Sequence, residues 1–109
     1  MLDGKPLTIT NDGNQRRDFT YVKDVVEANW LAATHKDQLK GNSFNIGNGN
    51  NYSVNELADM LGGEKTYGEK RLEPFKTLAD NSKAKYILGW IPTGHLPTWL
   101  KQYKKDLGI

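Results

Sequence analysis

The chain has 109 residues, a formal net charge of +2, 37% hydrophobic residues and 26% charged residues, a composition typical of one small globular domain. The charge is small and spread without a dense basic run, which argues against a nucleic-acid partner. Cysteine is absent and His35 and His95 lie far apart, so we expect neither disulfides nor a metal site. Without a membrane-spanning apolar run or a signal-peptide pattern, the expectation is a soluble, cytoplasmic domain with no membrane partner.

The first third of the chain predicts a strand, a turn and a helix. Residues 5–10 have the pattern of a short strand, and the turn residues 11–13 follow it. Residues 15–24 predict an extended segment that leads into a helix over residues 25–33. Asp24 stands where a helix N-cap is expected, so the sequence predicts that its carboxylate caps this helix.

Two arginines and an aromatic ring lie at this predicted strand-to-helix junction: Arg16, Arg17 and Phe19. A planar guanidinium binds phosphate through two parallel hydrogen bonds, and a neighbouring aromatic ring can cover a bound ring or exclude water. The alternative interpretation is a pair of surface arginines with Asp18 as their partner, because surface charge pairs are common and weak. The residues alone leave both interpretations open.

The rest of the chain predicts further short elements of a mixed α/β fold. Ser53 and Glu56 have the spacing of a capping box, which predicts a helix that ends at the glycine pair 62–63. The patterns also predict two strands and two helices: strands over residues 43–46 and 64–68, a short helix over 83–88 stopped by Gly89, and a last helix that begins near Pro97.

A partial glycine motif follows the predicted strand 43–46. The order of strand, Gly47-x-Gly49 and helix is that of a dinucleotide-binding unit, and Glu69 lies at about the right distance beyond it. Tyr52 stands in the place of the third glycine, and the helix starts only after a polar loop. A small dinucleotide-binding unit is therefore a distant alternative.

Four groups of residues, in the same order, resemble the extended short-chain dehydrogenase/reductases, and among them the NAD-dependent nucleotide-sugar epimerases and dehydratases of the UDP-glucose 4-epimerase type. The resemblance covers nearly the whole chain. Its motifs are Gly4-x-Pro6-Leu7 with Asp12-Gly13, Gln15, Arg17-Asp18-Phe19, Val22 and Asp24; Phe44-Asn45-Ile46-Gly47 with Ser53-Val54-x-Glu56-Leu57; Arg71 with Ala79-Asp80-x-Ser82-Lys83-Ala84; and Leu88-Gly89-Trp90-x-Pro92.

This resemblance implies that residues 1–109 are a single α/β domain of short strands and about four helices. The domain would be the C-terminal, substrate-binding portion of such an enzyme, with the Rossmann nucleotide-binding half missing. The family's catalytic Tyr-x-x-x-Lys pair is absent, because no tyrosine here has a lysine four residues later. The resemblance thus implies NAD for the full-length enzyme, with no cofactor bound and no catalytic residue supplied by this chain.

The resemblance also implies a substrate site and its ligand, a nucleotide-sugar diphosphate with UDP as the expected nucleotide. Arg17 matches the family arginine that holds the diphosphate, Phe19 matches the aromatic residue beside the nucleotide, and Arg71 matches a second phosphate-binding arginine. Arg16 has no counterpart. Where the family often has a glycine and then an acid, this chain has Glu73 and then Pro74. Either Glu73 replaces that acid as an acceptor for sugar or ribose hydroxyls, or the contact is lost.

Two functions follow as expectations. The first is the nucleotide-sugar-binding portion of an epimerase or dehydratase, not catalytic by itself. The second is a stand-alone, non-catalytic binding or interaction module. In the first, strand 43–46 would lack a neighbour and the face Val25/Ala28/Ala32 would be uncovered, so we expect a homo-oligomer or a repacked helix. In the second, the helix that carries Trp99 and Tyr103 would cover that face.

Overall fold

The computed structural model describes residues 3–109, which form a mixed α/β fold of short strands and helices. The elements follow one another in the order β1 (Leu7–Ile9), β2 (Arg16–Arg17), α1 (Val22–Ala33), β3 (Tyr52–Ser53), α2 (Val54–Leu61), β4 (Lys65–Tyr67), a π-helical turn (Ala84–Leu88) and α3 (Leu96–Leu107). The predicted fold class, with short strands and about four helices, is confirmed.

The strands form two separate pairs. Strands β1 and β4 are parallel, with Leu7 opposite Lys65 and Ile9 opposite Tyr67. Strands β2 and β3 are antiparallel, and an isolated bridge joins Arg16 of β2 to Lys76. The short strand β2 therefore lies between the start of α2 and the irregular segment after β4, and this places the motif of residues 15–24 at the centre of the chain's long-range contacts.

The ends of α2 and α3 follow their local sequence signals. The Ser53 hydroxyl accepts a hydrogen bond of 3.0 Å from the Glu56 amide, and α2 ends at Gly62 with φ of 82°. Pro97 lies in the first turn of α3, where its missing amide hydrogen costs nothing. The Ser53 cap, the glycine stop and the proline start are thus confirmed, whereas the Glu56 carboxylate of the predicted capping box bonds to Arg16 instead.

The predicted cap of α1 is wrong. The helix begins at Val22, three residues earlier than predicted, and Tyr21 is its N-cap residue without a side-chain hydrogen bond. Asp24 lies inside the first turn and is only 4% exposed. Its carboxylate bonds to Thr93 and Gly94, far away in the sequence, so it holds a distant loop instead of capping its own helix.

The predicted strand over residues 43–46 is also absent. No strand of the described part of the chain pairs with this segment, so it has no ladder of hydrogen bonds. Phe44 and Ile46 are instead partly buried against the main cluster of core residues. Their apolar alternation reflects packing on that core and not strand pairing.

The core is small and is centred on α1. Ala28 packs with three residues of the π-helical turn and the segment after it: Ala84, Leu88 and Trp90. Trp90 is fully buried, and its indole donates a hydrogen bond of 2.8 Å to the Asp24 carbonyl. The expectation that Ala28 would be uncovered is therefore wrong, and its cover is this turn and Trp90.

A different row of α1 is exposed. Val22, Val26 and Trp30 follow one another at four-residue spacing and are 67%, 61% and 64% exposed. Residues at that spacing share one face of a helix. We call Val22, Val26 and Trp30 the outer row of α1. It presents a large apolar surface on the side of the helix opposite the core.

The shape of the molecule is flat and extended. It measures 51 × 34 × 17 Å, and its radius of gyration is 16.9 Å, against about 13 Å for a compact domain of this length. The accessible surface is 7812 Å², whereas a folded monomer of this mass exposes about 6,100 Å². The chain therefore leaves more surface exposed than a self-contained domain of its size.

Candidate functional site

Asp18 holds two loops beside the central motif. Its carboxylate accepts hydrogen bonds from the amides of Asn48 at 3.0 Å, Gly49 at 2.9 Å and Ala79 at 3.1 Å. A carboxylate that accepts several amide hydrogen bonds is a strong, directional anchor, because charge-assisted hydrogen bonds are about twice as strong as neutral ones. Asp18 thus joins the end of β2 to the loop after residue 46 and to the segment before the π-helical turn.

The hydrogen bonds to Asp18 also indicate the role of residues 47–49, which is to pack closely against neighbouring segments. A side chain at Gly47 would collide with Ala79, and Gly49 has φ of 87°, so both glycines permit the close approach of the neighbouring segment. The amides of Asn48 and Gly49 already bond to Asp18. These donors are the ones that a dinucleotide phosphate would need, so the loop does not fit the distant dinucleotide-binding alternative.

Asp24 is a second anchor of the same kind. Its carboxylate accepts hydrogen bonds from the Thr93 amide at 3.0 Å, the Thr93 hydroxyl at 2.8 Å and the Gly94 amide at 2.8 Å. Burial opposes ionisation, but the hydrogen bonds from Gly94 and Thr93 outweigh it and lower the pKa of Asp24 below its ordinary value of 3.8. Asp24 therefore joins α1 to the loop that precedes α3.

Arg16 makes three side-chain hydrogen bonds within the fold. Its guanidinium donates to the Asn51 side chain and carbonyl, both at 3.0 Å, and to the Glu56 carboxylate at 2.9 Å. It thereby ties β2 to the start of α2. The alternative interpretation predicted that Arg16 and Arg17 pair with Asp18, and that pairing is wrong. Asp18 bonds to backbone amides instead, and the two arginines bond to different elements.

Arg17 lies on the other side of this junction and is held more loosely. It donates to the Arg16 carbonyl at 2.8 Å, and its guanidinium lies 3.5 Å from the Glu73 carboxylate. The side chains of Arg17 and Glu73 are 26% and 29% exposed. Such a partly exposed ion pair at a longer distance contributes little stability. The guanidinium thus remains open to a competing anion.

Asn11 connects Arg17 and its partner to Arg71. The Asn11 side-chain amide donates to Glu73 at 2.8 Å, and its oxygen accepts from the Arg71 amide at 2.7 Å. Asn11 has φ of 60°, a backbone conformation that asparagine tolerates better than most residues. The structure therefore links Arg17, Glu73, Asn11 and the Arg71 backbone into one chain of contacts, which we call the Arg17–Arg71 cluster.

A groove of about 290 Å³ opens beside this cluster. Arg71 and Lys70 lie on it, together with Asn11, Glu73 and Gln15. Gln15 is only 6% exposed, and its amide nitrogen donates to the Thr10 carbonyl at 2.8 Å. Its buried oxygen has no hydrogen-bond partner within residues 3–109. The groove thus presents the cationic residues Arg71 and Lys70 beside the Glu73 carboxylate.

Phe19 lies apart from this groove. It is half-buried and lines a separate cavity of about 300 Å³, whose walls are mostly aromatic or apolar: Tyr21, Val22, His95, Leu96 and Trp99 with Thr20 and Gly94. Of the three site residues predicted from the sequence, Arg17 and Arg71 are linked through Glu73 and Asn11. Phe19 borders a neighbouring surface.

Sequence reasoning missed two residues of the site, Asn11 and Gln15. Asn11 was predicted only as a turn residue, and the available signal was its tolerance of positive φ together with a side-chain amide that can bond elsewhere. Its partners lie about sixty residues away in the sequence, at Arg71 and Glu73. No local pattern indicates such pairs.

Two kinds of feature are absent from the part of the chain that the structure describes. No group of three or more metal-ligating side chains lies together there. None of the helices within residues 3–109 has the length and apolar character needed to cross a bilayer.

The fold and these motifs define a class of protein. Residues 1–47 match the family model described as the NAD dependent epimerase/dehydratase family. Nearly the whole chain is similar to a part of solved epimerase structures, at TM-scores above 0.8. The chain belongs to the NAD-dependent epimerase/dehydratase family, among the extended short-chain dehydrogenase/reductases.

Two of the solved structures that are similar to this chain are UDP-sugar epimerases. The UDP-glucuronic acid 4-epimerase of Bacillus cereus, solved with UDP-glucuronic acid and NAD, has a TM-score of 0.84 and 34% identity over 97% of this chain and 37% of its own. The UDP-glucose 4-epimerase of Thermotoga maritima, solved with UDP-glucose, has a TM-score of 0.82 and 36% identity, and covers 98% of this chain and 37% of its own.

A curated sequence relative agrees with these structures. The UDP-glucose 4-epimerase of Halalkalibacterium halodurans is 37% identical over an alignment of 92 positions, which covers 76% of this chain and 27% of the relative. The chain thus spans 27% to 37% of the lengths of these three proteins.

Proposed function

We propose that this chain is the nucleotide-sugar-binding portion of an NAD-dependent epimerase or dehydratase, with a UDP-sugar as its ligand, and that it is not catalytic by itself. The observation that carries the proposal is the Arg17–Arg71 cluster. Arg17 pairs with Glu73, and Asn11 bonds both to Glu73 and to the backbone amide of Arg71, 54 positions further along the chain than Arg17. Asn11, Arg71 and Glu73 line an open groove beside Arg17. The three similar proteins named above are UDP-sugar epimerases, which supports UDP as the nucleotide.

The chemistry of the cluster suits a diphosphate. Guanidinium groups bind phosphate oxygens through paired, charge-assisted hydrogen bonds, and Arg17 has donors that only a weak ion pair engages. Arg71 is exposed at the groove and contributes a second positive charge. In this proposal Arg17 and Arg71 hold the diphosphate, and the Phe19 cavity receives an adjoining apolar or ring portion of the ligand.

In this proposal, NAD binding and acid–base chemistry belong to a part of the enzyme outside these 109 residues. The amides of Asn48 and Gly49 bond to Asp18, so this loop does not offer them to a dinucleotide phosphate. The Tyr-x-x-x-Lys pair is absent from the sequence. The extended surface and the exposed outer row of α1 support an arrangement in which a dinucleotide-binding portion covers this side. They disfavour the self-sufficient binding module.

The test is amide chemical-shift mapping of the 109-residue chain with uridine diphosphate. We expect saturable shifts around Arg17, Asn11 and Arg71, and weaker binding by about ten- to a hundredfold in an Arg71→Gln variant, since a hydrogen bond to a charged group contributes about 1.5–3 kcal/mol. Lys101→Gln, which removes a charge from the exposed face of α3, is the control and should bind like wild type. Shifts confined to regions remote from Phe19 and Arg71 would reject the site.

Absence of turnover is a second expected outcome. In a coupled assay with NAD and UDP-sugars, the isolated chain should show no epimerase or dehydratase activity. Turnover that survives repurification of the protein would contradict the assignment of a binding portion.

A further inference from the structure

Glu73 contacts two other members of the Arg17–Arg71 cluster. One carboxylate oxygen lies 3.5 Å from the Arg17 guanidinium, and the other accepts a hydrogen bond of 2.8 Å from the Asn11 side chain. Asn11 in turn is fixed through the Arg71 amide at 2.7 Å. The Glu73 carboxylate is therefore tethered beside the guanidinium and does not extend freely into solvent.

The charge of Glu73 has the wrong sign for an anionic ligand. A diphosphate that approaches Arg17 meets a carboxylate already placed at the same donors. The ligand must displace that carboxylate from Arg17 or bind beside it, and like charges at close range repel each other. The ion pair is weak enough to be displaced, because it is partly exposed and longer than a direct hydrogen bond.

We propose that Glu73 is an internal competitor of the diphosphate for Arg17, and so sets the affinity and the anion selectivity of the groove. This inference rests on the proposed function, because it assigns Arg17 to the diphosphate. In the free chain Glu73 neutralises Arg17. On binding, the diphosphate replaces the carboxylate at the guanidinium, while Asn11 keeps Glu73 at the edge of the groove, where its oxygens face the ligand's hydroxyl groups.

The experiment compares three probes on the whole 109-residue chain: uridine diphosphate, inorganic pyrophosphate and uridine. Glu73→Gln removes the charge but keeps an oxygen that can accept from Asn11. We expect this variant to bind uridine diphosphate and pyrophosphate about three- to tenfold more tightly than wild type, with uridine affinity unchanged. Glu69→Gln is the matched control, since its exposed carboxylate has no hydrogen bond or ion pair within residues 3–109.

A double-mutant cycle separates competition from a general effect of charge. In the Arg17→Gln background, Glu73→Gln should no longer strengthen binding of either phosphate probe. The guanidinium for which Glu73 and the phosphate compete is absent from that background. The inference is overturned if Glu73→Gln does not strengthen binding, if Glu69→Gln strengthens it equally, or if the gain persists without Arg17. Amide spectra of each variant establish that it is folded.

The outcomes also distinguish this inference from the proposed function. If wild type binds uridine diphosphate at the Arg17–Arg71 cluster but Glu73→Gln binds no more tightly, only the role of Glu73 fails. If neither protein binds uridine diphosphate or pyrophosphate, the proposed site fails and the role of Glu73 fails with it.

Discussion

Within the motif of residues 15–24, two acids and one arginine have opposite roles. The acids Asp18 and Asp24 bond to backbone amides of distant loops, and Asp24 is almost fully buried. Arg17 is half-buried and has one weak ion pair, with Glu73. The acids build the scaffold, whereas the arginine keeps donors that a ligand can use.

This difference separates charges that stabilise the fold from charges that are available to a ligand. Charged residues next to each other in the sequence do not pair with each other here: Arg16 bonds to α2, Arg17 to Glu73 and Asp18 to two loops. A charge whose hydrogen bonds are satisfied inside the fold affects stability. A charge that is partly exposed and weakly paired affects binding. The predictions below test that division.

The largest expected effect is loss of stability on removal of a scaffold acid. Asp24→Ala leaves two amides and a hydroxyl of the loop before α3 without their acceptor, so we expect a loss of about 3 kcal/mol in the free energy of unfolding. Urea denaturation followed by circular dichroism measures it. Asp59→Asn, which breaks only the surface pair with Lys65, should cost less than about 1 kcal/mol. Equal losses would contradict the scaffold role.

The next effect concerns pH. Because the folded-state pKa of Asp24 is lower than its ordinary value of 3.8, its contribution is present above that value and is lost as the pH falls through the folded-state pKa. The gap in stability between wild type and Asp24→Asn should be largest near neutral pH and should shrink below pH 3.8. Urea midpoints at a series of pH values test this. A gap that widens in acid would contradict the account.

A smaller effect is expected at the outer row of α1. Exposed apolar surface favours association, so the isolated chain should self-associate, and Trp30→Gln should weaken that association with a stability change of about 0.5 kcal/mol or less. Light scattering over a concentration series measures the mass. Tyr86→Gln removes an aromatic ring that is 92% exposed outside the row, and it should leave association unchanged. A strictly monomeric wild type would contradict this prediction.

The sequence predicted those features that depend on near neighbours. Ser53 caps α2 and Gly62 ends it because the bonding partners are only a few residues away. The helix that begins with Pro97 in its first turn was predicted for the same reason, because proline suits the first turn of a helix. Resemblance to a family then supplied the fold class and the candidate arginines.

The features that the sequence did not predict depend on contacts between residues that are far apart in the sequence. Asp24 looks like a cap in the sequence, but its partners are 69 and 70 positions away. The apolar pattern at Phe44 and Ile46 looks like a strand, but it packs on the core. Glu73 was predicted either to replace the family acid as an acceptor for sugar or ribose hydroxyls or to have lost that contact, and its partners within the fold, Arg17 and Asn11, were not predicted. Local patterns do not contain such partners.

The most direct test of the central claim is the affinity of Arg17→Gln for uridine diphosphate, measured together with its stability. The account predicts a loss of affinity of about ten- to a hundredfold, while the free energy of unfolding changes by about 1 kcal/mol or less, because Arg17 is held weakly inside the fold. Wild-type affinity in Arg17→Gln, or a large loss of stability without a change in affinity, would contradict the division between charges that stabilise the fold and the weakly paired Arg17.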